Sequence, residues 1–216
     1  MGKIAADILR EYGPFPGGSV AGVTYDGQHI WFAAGTKLNA VDPSDGTIRR
    51  SIDVAADAGT AFDGTHLFQI AANRIQKIDP TTGQVIASIP TPNDADVRDS
   101  SGLAWAEGTL WVGQYQGRKI YQIDADTGAI LRTITSDRFV TGVTWVDGEL
   151  WHATWEDDQS ELRHVDPESG AVLEQVEMPP GVVVSGLESD GGERFFCGGA
   201  KSGIVRAVRR PKRKAG

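Results

Sequence analysis

Cysteine is almost missing from this 216-residue chain, where Cys197 stands alone. One thiol cannot close an intramolecular disulfide, which fits a reducing compartment. Long apolar runs are missing too. No stretch reaches membrane-spanning length, and the start, MGKIAADILREYGPFPGG, has no uninterrupted apolar segment followed by a small-residue cleavage site. These absences predict a cytoplasmic protein with no membrane insertion. Positive charge is scarce outside one place: five of the 21 Lys and Arg fall in the last eight residues, leaving 16 against 29 Asp and Glu in the rest. An acidic body repels phosphate backbones, so a nucleic-acid contact is left only to the tail RRPKRKAG, which reads first as a solvated end.

Glycine, by contrast, is plentiful. The 27 Gly and 10 Pro require many turns and favour short strands over long helices. These turns recur at a fixed period. The pieces GVTYDGQHIW, GTAFDGTHLF, GLAWAEGTLW, GVTWVDGELW and GLESDGGERF begin at Gly22, Gly59, Gly102, Gly142 and Gly186. The first four are followed by VDPSDG, IDPTTG, IDADTG and VDPESG, with Asp42, Asp79, Asp124 and Asp166 as turn residues. A repeat near 40 residues with four short strands per unit is the signature of a β-propeller. The fifth unit stops without its turn or fourth strand, and the N-terminal AADILREYGPF resembles the outer strand AILRTITSDRF of the third unit. The sequence therefore predicts an all-β, five-bladed propeller with four-stranded blades, closed by the N-terminal strand pairing into the last blade. Closure of that kind removes an open sheet edge. The predicted units are about 20–57, 58–98, 99–139, 140–182 and 183–210, with the closing strand within 5–15 and a basic tail at 211–216.

The repeat also sorts scaffold from function. Aromatic residues recur in the first strand at Tyr25, Phe62, Trp105 and Trp145, and in the second at Trp31, Phe68, Trp111, Trp151 and Phe195, as packing between blades requires. Residues that break the repeat in the loops over the channel are the site candidates. His152 follows a strand-two aromatic where other units have Phe32, Gln69, Val112 and Phe196. Trp155 is the one Trp outside the repeat slots, and Glu156, Asp157 and Asp158 follow it. Asp94, Asp96 and Asp99 lie in the longest inter-blade loop but lack the glycine and terminal glutamate of a calcium loop, and the His residues have no metal-triad spacing. Cys197 reads as a small buried thiol. The predicted site takes His152 or Glu156 to move protons, Trp155 and Tyr115 to wall the ligand, Arg118 or Gln69 to orient a carboxylate or amide, and Asp99 as a further ligand-binding residue.

The units with DGxLW and IDxxTGxxL, and above all GVTWVDGELWHATWEDDQSELRHVDPESGAVL, resemble the glutamine cyclotransferase family, the plant and bacterial type of glutaminyl cyclase. GVTYDGQHIWFAAG and NRIQKIDPTTG resemble the streptogramin B lyase group. The first resemblance implies a five-bladed fold and makes Trp155, in the TW of Thr154 and Trp155, a pocket residue. The second implies a divalent cation held by His and Glu, for which His152 and Glu156 are the nearest residue types. The chain departs from the cyclase pattern at VAGV (Val20 to Val23) and SSGL (Ser100 to Leu103), which replace a Phe-Thr-Gln-Gly-Leu blade opening. It departs again at VGQY (Val112 to Tyr115), which replaces a segment that begins with a glutamate. Two functions follow as expectations: a propeller binding a small polar molecule or peptide end over its channel, with cyclotransferase-like or lyase-like chemistry, or a non-catalytic binding module, lectin-like or a scaffold.

Overall fold

The computed structural model describes residues 3–92 and 99–212. Two strands at the start, β1 (Lys3–Ala5) and β2 (Ile8–Tyr12), precede the repeats. Blade I is β3 (Val23–Tyr25), β4 (Ile30–Ala33), β5 (Gly35–Val41) and β6 (Ile48–Ala56). Blade II is β7 (Thr60–Phe62), β8 (Leu67–Ala71), β9 (Arg74–Ile78) and β10 (Val85–Pro90). Blade III is β11 (Ser100–Ala106), β12 (Thr109–Gln114), β13 (Lys119–Asp124) and β14 (Ile130–Thr135). Blade IV is β15 (Val140–Val146), β16 (Glu149–Glu156), β17 (Gln159–Val165) and β18 (Val172–Glu177). Blade V is β19 (Gly186–Ser189), β20 (Arg194–Gly198) and β21 (Val205–Arg209), completed by β2. The fold is a five-bladed β-propeller with no helix among the described residues.

Closure follows the expected route. β2 runs antiparallel to β21, with Ile8 opposite Val208 and Tyr12 opposite Val205. β1 departs from the four-strand expectation by adding to blade IV, parallel to β18, with Lys3 opposite Gln175 and Ala5 opposite Glu177. The two residues between β1 and β2 are enough to cross from one outer edge to the next. The Ala6 amide donates to the Glu177 carbonyl at 2.8 Å, and Lys3 pairs with Glu177 and Glu161. The chain start thus binds blades IV and V together.

Two sets of glycines fix the spacing of the blades. The first residue of each repeat forms a ring around the axis. A methyl group at Gly22 would lie 2.3 Å from the Ala58 carbonyl oxygen, at Gly59 2.5 Å from Leu103 N, at Gly102 2.7 Å from Val143 N, at Gly142 2.6 Å from Leu187 N, and at Gly186 2.9 Å from Val23 N. Each inner strand therefore approaches the next at backbone distance, and the fifth contact returns to the first blade. The second set ends the Asp turns. A methyl at Gly83 would meet Ile52 at 2.7 Å and one at Gly170 would meet Ile134 at 2.2 Å, so each turn rests on the outer strand of the preceding blade. The turn aspartates act as caps: Asp79 accepts from Thr81 N at 2.6 Å, and Asp166 accepts from Ser169 N at 2.7 Å. Outer-strand arginines reach the same turns. Arg10 donates to the Ser44 carbonyl, Arg50 to that of Thr81 and Arg132 to that of Pro167.

The seams between blades hold the core. Phe68 stacks on Trp105 with centroids 5.4 Å apart, and Trp111 on Trp145 at 5.9 Å, each joining a second strand to the first strand of the next blade. Blade V is out of step with the sequence reading. Its residue opposite Glu188 is Phe196, whereas the residues opposite Thr24, Ala61, Ala104 and Thr144 are Trp31, Phe68, Trp111 and Trp151. The SDGGER hairpin is one residue longer than the others, so Phe196 takes the aromatic slot and meets Tyr25 at 5.4 Å. Phe195 turns the other way, onto Trp151 at 5.0 Å.

Candidate functional site

The shift in blade V regroups several residues. Opposite Val23, Thr60, Leu103, Val143 and Leu187 stand Phe32, Gln69, Val112, His152 and Cys197. These five share one slot, and it faces the seam toward the preceding blade. Gln69 is fully buried there, donating from Nε2 to the carbonyls of Ala58 (3.0 Å) and Ile70 (2.7 Å) and accepting from Thr60 Oγ1 at 2.6 Å. His152 is 1 % exposed between blades III and IV, near Ser136, Asp137 and Gly170. Burial, reinforced by the charge of Arg163, pushes its imidazole down to about 4, and its Nδ1 has no hydrogen-bond partner among the described residues. Cys197 lies in the apolar core between blades IV and V, where burial pushes its thiol up to about 12.

A hollow with a built floor lies on the axis. Its floor is the five residues that precede the ring glycines: Ala21, Ala58, Ser101, Thr141 and Ser185. β-Bulges bend β11 between Ser100 and Leu103 and β15 between Val140 and Gly142, at this floor. Ser101 Oγ donates to the Val140 carbonyl and Ser185 Oγ to the Val20 carbonyl, both at 2.5 Å, tying neighbouring blades. Ser100 Oγ and Thr141 Oγ1 are buried without a partner among the described residues. Above the floor stand Asp57, Asp99, Tyr115 and Trp155, enclosing about 400 Å³. Two residues beyond the ring glycine Gly186, the partly buried Glu188 accepts from Thr24 Oγ1 (2.8 Å) and Thr144 Oγ1 (2.5 Å), and desolvation pushes its carboxyl up to about 7.

Tyr115 and Trp155 occupy equivalent places, four residues beyond the strand-two aromatics Trp111 and Trp151. At that place the other blades have Gly35, Ala72 and Ala200, so two bulky rings stand where three blades have small residues. Each ring is held by a dedicated clasp. Asp99, 9 % exposed, accepts from Gln116 N and Gly117 N at 2.6 Å each, and its carbonyl accepts from Tyr115 N at 2.9 Å. Gly117 leaves room for this, since a methyl there would lie 2.5 Å from Gln114 Oε1 and 3.0 Å from the Asp99 carboxylate. On the other side Arg138 donates to the carbonyls of Glu156 (2.8 Å) and Gln159 (2.9 Å) across the two-residue turn of Asp157 and Asp158, both at positive φ.

The sequence-predicted residues therefore separate into three groups. Asp99, Tyr115 and Trp155 meet in the axial cavity. Arg118 and Glu156 form an ion pair with each other beside it, with the Arg118 guanidinium 4.6 Å from the Phe139 ring centre; Tyr115 packs on the same ring at 4.7 Å. Gln69 and His152 lie in seams. Asp57 and the hydroxyl floor had no place in the sequence reading, although the position just before each repeat glycine was there to find the floor. Asp57 accepts from Ala72 N through one carboxylate oxygen at 2.8 Å, and its other oxygen has no protein partner among the described residues. No three His, Cys, Asp or Glu side chains cluster to hold a metal among the described residues. Asp94, Asp96, Arg213 and Lys214 lie outside the described residues. Of the remaining tail cations, Arg209 pairs with Asp7, and Arg210 with Asp147 and Glu149, so both bind blades V and IV to their surroundings. No described helix is long and apolar enough to cross a membrane.

No protein-family model matches the chain, and no curated protein is similar to it. Among solved structures, the chain is similar to the glutaminyl cyclase of Myxococcus xanthus, with a TM-score of 0.78 and 16 % identity over 96 % of this chain and 98 % of that one. It is also similar to the hydrazine synthase of Kuenenia stuttgartiensis, with a TM-score of 0.52 and 18 % identity over 90 % of this chain and 57 % of that one. What the chain shares with the Myxococcus glutaminyl cyclase, across nearly the full length of both, is the five-bladed propeller fold.

Proposed function

We propose that the axial cavity binds a small polar ligand through a protonated amine, such as the amino end of a peptide. The observation that carries this reading is the charge of the lining: Asp57 and Asp99 are present and no Lys or Arg is, among the described residues. Asp99 spends both carboxylate oxygens on backbone amides, which leaves Asp57 as the direct partner of an ammonium group. Trp155 and Tyr115 offer ring faces that attract the same charge. The unpartnered Ser100 and Thr141 hydroxyls supply hydrogen bonds for a carbonyl or amide behind it.

Tri-alanine titrated by calorimetry tests the reading. Binding is expected for the free peptide, with a loss of at least tenfold on N-acetylation and a similar loss in Asp57→Asn, as for a charge-assisted hydrogen bond worth about 1.5–3 kcal/mol. Equal affinity for the free and acetylated peptides refutes it. A second reading makes Asp57 a proton acceptor for cyclisation of N-terminal glutamine, in which the α-amine attacks the side-chain amide and ammonia leaves. It is favoured by the unpartnered Asp57 oxygen and by the shared fold. Ammonia release from a glutaminyl peptide, abolished in Asp57→Asn, distinguishes turnover from binding.

A further inference from the structure

Trp155 belongs to two hollows at once. One face of its surroundings is the axial cavity; the other is a groove of about 510 Å³ between blades IV and V, lined by Gly181, Val182, Val183, Gly199, Ala200, Lys201, Ser202 and Arg206 together with Trp155. Val183 is likewise common to both, so the two hollows are neighbours that share Trp155 and Val183 in their walls. Their charges are opposite. The axial cavity carries two carboxylates; the groove carries Lys201 and Arg206, of which Arg206 is ion-paired with Glu11.

The groove is built from the turn between β20 and β21. Ala200 takes a positive φ of 48°, and the amides of Ser202 and Gly203 donate to the carbonyls of Gly199 and Ala200, which holds the turn in a tight coil. Arg206, 8 % exposed, rises from β21 beneath it. Its Nε donates to Glu11 Oε1 at 2.7 Å, and a methyl group at Gly199 would lie 2.9 Å from its Nη1, so the guanidinium is fixed in the floor by close packing. Lys201 is exposed at the mouth and forms no ion pair among the described residues. With Arg206 already paired to Glu11, the exposed Lys201 ammonium is the cation open to an anion at the mouth, and Val182 and Val183 line the groove beside Trp155.

We infer that the groove is a second subsite, for an anionic group on the same ligand, so that the protein takes a short zwitterionic peptide with its amino end over the axis and its carboxylate between blades IV and V. This rests on the amine reading of the axial cavity. A ligand laid across Trp155 meets an acidic hollow at one end and a basic one at the other, which sets its direction. Reversed placement would set like charges against each other at both ends.

The test uses alanine di-, tri- and tetrapeptides, each free, C-terminally amidated or N-acetylated, titrated against the full chain and against Lys201→Met. Amidation is expected to weaken the best-fitting free peptide about tenfold in the wild type and to change its affinity less than twofold in Lys201→Met. If amidation costs nothing, or costs the same in both proteins, the groove is not a carboxylate subsite, and the axial reading survives as long as acetylation still weakens binding. If acetylation costs nothing either, the axial reading fails and this inference falls with it. Because Lys201 is exposed on a turn, its replacement leaves the fold intact, which an unchanged thermal midpoint verifies.

Discussion

His152 shows what a single side chain contributes when polarity and position disagree. It shares its slot with Phe32, Gln69, Val112 and Cys197, all turned into seams. Held neutral in the fold, with its pKa down at about 4 against about 6.5 in the open chain, it makes the unfolded state the better proton binder between those values. Stability therefore falls as the pH drops from 6.5 through 4, by up to roughly 3 kcal/mol from this residue. His152→Gln, which puts the residue of blade II in the same slot, should flatten that part of a urea-denaturation pH profile. An unchanged acid slope in the variant would show that the imidazole is not held neutral. Asp99 illustrates the opposite case, a residue at the cavity whose carboxylate is consumed in holding Tyr115.

At the scale of strands and turns, the ring glycines are the elements that make the cavity a cavity. They bring five inner strands into backbone contact and close the axis below the floor. Gly102→Ala places a methyl 2.7 Å from Val143 N, where backbone cannot yield, and should cost about 2 kcal/mol or more in denaturant midpoint experiments. Gly108→Ala is the control: its φ is +85° but the space beside it is open, so it should cost only about 1 kcal/mol. Equal costs at the two positions would mean that the ring is not tight. The strands and their turns were legible because DG and DxxTG carry a backbone requirement that recurs with the period. The blade V register was not, since one added residue in SDGGER moves Phe196 into the slot that counting assigns to Phe195. The loops Tyr115 and Trp155 stood out because they interrupt the repeat. Asp57 did not, because AADA looks plain until the fold brings it to the axis, and polarity at Gln69 or His152 does not tell an axis-facing side chain from one in a seam.

The whole molecule is a ring whose two ends are fastened to the same pair of blades. β2 completes blade V, β1 extends blade IV, and Arg210 returns from β21 to Asp147 and Glu149 of the β15–β16 hairpin. Fastened in this way, the blades hold Asp57 of the loop between blades I and II, Tyr115 of blade III and Trp155 of blade IV at fixed positions around one opening, a site that no single blade contains. The measurement that bears most directly on this account is a crystal structure of the protein soaked with tri-alanine. The account predicts the peptide in the axial opening, its amino nitrogen within hydrogen-bond distance of the Asp57 carboxylate and its chain passing Trp155. Peptide bound elsewhere, or with its amino end turned away from Asp57, would contradict it.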